Sequence, residues 1–199
     1  MGLSSPLATA PSQPPGGPEA GMSAAGEDLW VFGYGSLMWR PGFPFLERHI
    51  GRVHGYHRSL CVYSHYHRGT PEEPGLVLGL DRGGSCRGST FRVAAARRDD
   101  TIAYLREREQ VTSVYLERTA SVTLDSGVAI RALVYIVDRT HPQYAGRLAP
   151  AEVVRLVRHG VGQSGVNPDY VRSTHAQLLE LGVHDPVLSH VVGALEAAE

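Results

Sequence analysis

From Asp28 to about Val137 the chain alternates short apolar, β-branched runs with glycine and proline, and past Pro150 it changes to longer segments with helical spacing. The pattern predicts strands near 29–34, 51–63, 75–80, 86–93, 119–124 and 128–137. Asp125-Ser126-Gly127 reads as a hairpin turn, and Arg82-Gly83-Gly84-Ser85 as a second one. A helix is expected over about 95–110, where Ile102, Leu105 and Glu109 recur at i, i+3 and i+7. Pro150 opens a second helix that Gly160-Val161-Gly162 ends. Asn167 reads as the N-cap of a third with Pro168 in its first turn, closed by Gly182, and Asp185-Pro186 starts a last helix ending near Glu196. Strands first and helices afterwards, without regular βαβ alternation, argue for an α+β domain whose sheet can curl into a barrel.

With 199 residues, 42% of them hydrophobic, the chain suffices for one well-buried core. Residues 1–27 are rich in Pro, Gly, Ser and Ala and read as a disordered tail, leaving 28–199 as the domain. The first basic residue is Arg40, so the start lacks both the charged and the continuous apolar regions of a signal peptide. No apolar run approaches the roughly 18 residues of a membrane span, so no membrane partner is expected. A net charge of -1 with dispersed basic residues marks no nucleic-acid footprint. All 19 basic residues are arginine, which excludes Schiff-base and P-loop lysine chemistry. Cys61 and Cys86 form no CxxC pair and no disulfide framework, pointing to a reducing, cytoplasmic compartment.

The segment Val31-Phe32-Gly33-Tyr34-Gly35-Ser36-Leu37 runs an apolar strand straight into two glycines and a serine. Such a turn bares backbone N–H groups, with the Ser36 hydroxyl beside them, and can cradle an anion; it is equally the pattern of an ordinary strand ending in a tight turn. Better-known anion motifs do not fit. A dinucleotide fingerprint needs glycine where Met38 stands, a P-loop needs Gly-Lys, and a nucleophile elbow needs Gly-x-Ser-x-Gly.

Among the acids, Glu109 shares the apolar face of Ile102 and Leu105, whereas Glu107 is turned about 200° away. Burial and the C-terminal end of a helix both raise a carboxyl pKa, which suits a general base. The alternative is that Glu109 pairs with an arginine such as Arg58, Arg106 or Arg108 and only closes its helix. His65-x-His67 would place two imidazoles on one side of a strand but lacks a third ligand, so no metal is expected. Cys61 reads as an inert core thiol, and Gly162-Gln163-Ser164-Gly165 as a loop between helices. Arg58 is placed to reach a substrate carboxylate or to form a surface salt bridge, and the Tyr144 phenol to donate to a ligand or to pack at the domain edge.

These pieces occur together in one known family. Trp30 through Trp39, followed by Pro41-Gly42-Phe43, closely resembles the opening of the ChaC-type γ-glutamylcyclotransferases. Gly55-Tyr56-His57-Arg58, Arg68-Gly69-Thr70-Pro71, Pro74-Gly75-Leu76-Val77-Leu78, Arg108-Glu109, Tyr115-Leu116, Tyr144-Ala145-Gly146 and Gly165-x-Asn167-x-x-Tyr170 extend the resemblance over about 29–195. The segment Gln110 to Val114 is one where relatives vary. The resemblance implies a small mixed β-barrel with flanking helices, no cofactor, and cleavage of glutathione or a related γ-glutamyl peptide to 5-oxoproline. It further implies that Val31 to Leu37 hold the α-amino-acid end of the γ-glutamyl group, that Glu109 is catalytic, and that Tyr144 lies near the substrate. A non-catalytic glutathione-binding module is the competing expectation, against which the presence of Glu109 argues.

Overall fold

Leu29–Gly33 forms strand β1, and its unbroken apolar sequence reflects burial on both faces. Leu29 and Val31 join one cluster with Phe91, Leu105, Leu133 and Tyr135, whereas Phe32 points the other way into the main core. A strand covered on one side only would alternate apolar with polar residues; this one has no solvent side. The computed structural model describes residues 26–109 and 113–197, so most of the expected 1–27 tail and the Gln110-Val111-Thr112 segment lie outside the described residues.

The elements that follow are β2 (Glu47–Ser64), β3 (Gly75–Val93), α1 (Arg98–Glu109), β4 (Tyr115–Leu124) and β5 (Ala129–Val137). The C-terminal part holds α2 (Pro150–His159), the short strands β6 (Val161–Gly162) and β7 (Gly165–Val166), α3 (Asn167–Glu180) and α4 (Pro186–Glu196). The five long strands close into a barrel in the order β1-β3-β2-β4-β5. β1 is antiparallel to β3 but meets β5 in parallel, Val31 opposite Leu133, so the barrel is mixed as expected. Its interior is filled by residues such as Phe32, Val53, Leu60, Leu76, Leu80 and Val134, and the same core continues outward into α2, α3 and α4. Helix α1 covers the opposite side with Leu105. None of the described helices is long and apolar enough to cross a membrane.

The Asp125-Ser126-Gly127 hairpin forms as expected, with Gly127 at φ +86°. The second expected hairpin does not. Arg82 to Ser85 continue within β3, where Gly83 (φ +101°) and Gly84 (φ +69°) oppose Gly55 (φ +83°) and the register slips between His54 and Tyr56. Glycines at positive φ serve a β-bulge as readily as a turn, and runs on both sides of this bulge pair with the same long strand, β2. The two expected strands are therefore one, bent in the middle.

Asn167 is a further correction. It stands inside the first turn of α3 and does not cap it; its side chain reaches back to β3. Oδ1 accepts from Leu76 N–H at 2.7 Å and Nδ2 donates to Leu76 C=O at 2.9 Å, in a fully buried position. The amide thus mimics one rung of a strand ladder and rivets α3 to the barrel. Asp185, by contrast, caps α4 as expected, accepting from the N–H groups of Val187 and Leu188 at 3.1 Å each. Asn167→Leu, which leaves both Leu76 groups buried and unpaired, is expected to lower unfolding free energy by about 2–4 kcal/mol in urea denaturation. A loss within experimental error would mean that the rivet does not hold the helix.

Candidate active site

The chain leaves β1 at Gly33 and turns through a single 3-10 turn, Ser36–Met38. Met38 N–H donates to Gly35 C=O at 2.8 Å and Arg40 N–H to Ser36 C=O at 2.8 Å, which closes the turn. A side chain at Gly33 would bring its Cβ within 2.8 Å of Leu37 Cβ, so the tight return of the chain requires glycine there. The N–H groups of Gly35, Ser36 and Leu37 have no protein acceptor among the described residues. They are the donors that the glycine-serine pattern led one to expect.

Two arginines fix this loop from opposite sides. Arg58 lies behind it, its side chain only 4% exposed, and donates from Nε to Tyr34 C=O at 2.6 Å and from Nη2 to Arg87 C=O at 2.7 Å. Its Nη1 pairs with the buried Asp185 carboxylate at 3.3 Å. Arg108, in the last turn of α1, donates from Nη2 to Ser36 Oγ at 2.9 Å and from Nη1 to Arg40 C=O at 2.6 Å. Its Nε stands 3.2 Å from Glu109 Oε1. One guanidinium therefore holds the loop and the carboxylate in a common frame.

Glu109 closes α1 with a side chain 18% exposed, and it faces the same small cavity, about 80 Å³, as Tyr34, Gly35, Ser36 and Leu37. Both readings of this residue hold at once: it is half-buried and it pairs with an arginine. Burial raises its carboxyl above the ordinary value, and the Arg108 cation opposes that shift without cancelling it. Tyr115 and Tyr170 complete the wall. The Tyr115 hydroxyl donates to Leu78 C=O at 2.8 Å, while Leu78 N–H donates to the Tyr170 hydroxyl at 3.2 Å. Burial pushes the phenols of Tyr34, Tyr115 and Tyr170 upward, and the Glu109 charge adds to this, so all three stay protonated donors near neutral pH. On its other side Glu109 opens onto a groove of about 330 Å³ lined by Ser64, His65, Tyr66 and His67.

Of the residues expected at the site, Tyr34, Gly35, Ser36, Leu37 and Glu109 come together. Val31 and Phe32 do not: strand alternation spends their side chains on the two cores, and Gly33 pairs with Ser89 in the ladder. Arg58 is neither a surface salt bridge nor a wall of the Glu109 cavity, because its donors are already taken up beneath the loop. Tyr144 is also displaced. Its hydroxyl donates to Asp81 at 2.8 Å, on a different cavity. His65 and His67 lie in a loop rather than a strand, and the His67 ring sits 2.9 Å from Ser164 Oγ of the β6–β7 turn. Cys61 is fully buried, its thiol pushed up to about 12 by burial, in keeping with an inert core role. Sequence reasoning missed Arg108 as the connector and Tyr115 and Tyr170 as the wall, although all three stand in motifs that carried the resemblance.

The profile of the family described as ChaC-like protein matches residues 29–198. A glutathione-specific γ-glutamylcyclotransferase from Escherichia coli is 34% identical over 82% of this chain and 71% of its own length. The zebrafish (Danio rerio) glutathione-specific γ-glutamylcyclotransferase 1 is 32% identical over 87% of this chain and 92% of its own. Among solved structures, a γ-glutamyl cyclotransferase specific to glutathione from yeast superposes with a TM-score of 0.76 at 20% identity, covering 86% of this chain and 97% of that one, which shows the shared fold. The chain belongs to the ChaC-like family, with the γ-glutamylcyclotransferase enzymes among its members.

Proposed function

We propose that this chain is a glutathione-specific γ-glutamylcyclotransferase that releases 5-oxoproline and Cys-Gly, with Glu109 as general base and then general acid. The observation that carries the reading is a half-buried carboxyl with a raised pKa, sharing a small cavity with the open N–H groups of Gly35 to Leu37. The names of the relatives supply the substrate.

The chemistry needs no protein nucleophile, because the substrate carries its own. The γ-glutamyl α-amine attacks the γ-amide carbonyl carbon of the same molecule, a five-membered ring forms, and the bond to the cysteinyl nitrogen breaks. Free in water, the chain is extended and its amine protonated. An α-carboxylate held by the 35–37 amides would fold it into a near-attack geometry, and such positioning supplies roughly 7–11 kcal/mol in favourable intramolecular cases. Glu109 takes a proton from the ammonium, exposing the nucleophile, and returns one to the departing nitrogen. Transfers of this kind contribute about 10²–10⁴-fold. Tyrosine hydroxyls and backbone amides around the cavity are the donors available to the developing oxyanion. The groove beyond Glu109, with His65, Tyr66 and His67, is where the Cys-Gly portion would extend.

Incubation of the purified chain with glutathione is expected to yield 5-oxoproline and Cys-Gly; folded protein without product would overturn the assignment, and turnover of γ-glutamyl-alanine in preference to glutathione would move the specificity elsewhere. Glu109→Gln is expected to abolish turnover without loss of stability. The sign follows from burial, which raises the folded-state pKa above the ordinary 4.5. Stability linked to this carboxyl is full below the unfolded pKa and declines as pH rises through the folded one. At pH 7 the uncharged glutamine removes that penalty, so the variant's urea midpoint should equal or exceed that of the parent. A markedly lower midpoint would instead make Glu109 a structural ion-pair partner. For the parent enzyme, kcat/KM should fall on the acid side with a midpoint above 4.5, and a limb at or below that value would exclude the raised carboxyl as the base.

A further inference from the structure

A cavity of about 830 Å³ beside the barrel shares no lining residue with the two at Glu109. It lies between the middle of β2 and β3 and the first turns of α2 and α4, with the 139–150 segment along its edge. Its size falls in the range of small-molecule sites. Its floor is apolar, formed by Leu60, Leu148, Val153 and Val191. Its rim is cationic.

Six basic side chains line the cavity: His57, Arg58, Arg82, Arg139, Arg147 and His190, of which Arg58 is already paired with Asp185. The only acid among the lining residues is Asp81, and it is already engaged. Arg139 Nε donates to its Oδ1 at 2.7 Å, the Tyr144 hydroxyl to its Oδ2 at 2.8 Å, and the Arg82 N–H to Oδ1 at 2.7 Å. Burial alone would push this carboxyl up, yet these donors outweigh it and hold it below the ordinary range. Asp81 therefore neutralises Arg139 and leaves the Arg82 and Arg147 guanidinium groups without a carboxylate. Neither the Arg82 nor the Arg147 guanidinium has a protein partner among the described residues, and the His190 ring has none either. In a chain whose net charge is -1, two unpartnered arginines on one cavity are a local feature, not a general property of the surface.

We propose that this cavity is a second ligand site, separate from the Glu109 centre, for a small amphipathic organic anion: one carboxylate, phosphate or sulfonate head on an aliphatic or aromatic body. Arg82 and Arg147 grip the head and the floor of leucines and valines takes the body. Paired cations over an apolar floor select against two alternatives. A neutral apolar molecule leaves the guanidinia unanswered, and a fully hydrated inorganic anion leaves the floor exposed to water. The Arg139–Asp81–Tyr144 triad forms the polar side wall and fixes the orientation of the 139–150 segment.

The test uses the full chain and two probes of one shape, 2-naphthoate and its neutral counterpart 2-naphthamide, in isothermal titration calorimetry. Naphthoate is expected to bind saturably, and naphthamide more weakly by about tenfold or more, as loss of a charge-assisted pairing predicts. The double variant R82A/R147A should lose naphthoate by a similar factor while keeping its thermal unfolding midpoint, since both side chains are exposed and make no internal bond. Glutathione added to the Glu109→Gln variant should not displace naphthoate. No saturable binding at millimolar concentrations, equal binding of the amide, an unaffected double variant, or displacement by glutathione would each overturn the proposal, the last by relocating the probe to the Glu109 cavity.

Discussion

The loop that follows Gly33 has no sheet partner, and what holds it from behind is the buried guanidinium of Arg58. That group spans three parts of the chain that are distant in sequence: the Tyr34 carbonyl in the loop, the Arg87 carbonyl in β3, and the Asp185 carboxylate that caps α4. A cation this deeply buried is tolerable only because every face of it is answered. The same Asp185 uses one oxygen on the guanidinium and the other on the N–H groups of α4. The loop that presents open amides to a ligand is thus braced through the core to the last helix. Precise positioning of a few backbone donors needs that kind of rigid backing, since a misplaced donor loses most of its effect on a developing charge.

On the opposite side of the loop, Arg108 creates a tension that the site resolves by burial. A carboxylate beside a guanidinium is ordinarily held low and makes a poor base. Here desolvation of Glu109 exceeds the pull of Arg108, so the carboxyl stays raised while the arginine still fixes its position. Arg108 spends its other donors on Arg40, Tyr104 and Ser36, which hold the guanidinium in place beside Glu109. Geometry and proton affinity are set by different neighbours. That separation lets a group be both well oriented and ready to accept a proton.

Much of the fold was legible because its signals are local. Val153, Leu156 and Val157 recur on one face of α2, and Asp185 announces α4 with its cap. The bulge at Gly83-Gly84 was misread as a turn because local sequence shows only that φ is positive; whether the chain reverses depends on the partner strand, which sequence does not display. Asn167 illustrates the same limit. Its type and position suited a cap, but its amide found a better partner in Leu76, a residue 91 positions away. In the site, Glu109 was legible from helical periodicity and Gly35 to Leu37 from the glycine-serine pattern. Tyr115 and Tyr170 were not, because their convergence depends on both bonding the backbone of Leu78.

Leu78 also explains why the site sits where it does. Its position in the barrel ladder makes it a fixed point, paired with Leu60 of β2, and its side chain is buried in the core. Two tyrosines from elements on either side of it, β4 and α3, are pinned to its main chain, and the same residue lines the Glu109 cavity. The cavity wall is therefore an extension of the sheet rather than a set of independent loops. Glu109 arrives from α1, the open amides from the end of β1, and the phenols from β4 and α3, so no single segment contains the site. Only closure of the barrel brings them together, and this makes the arrangement around Glu109 a consequence of the same strand pairing that builds the core.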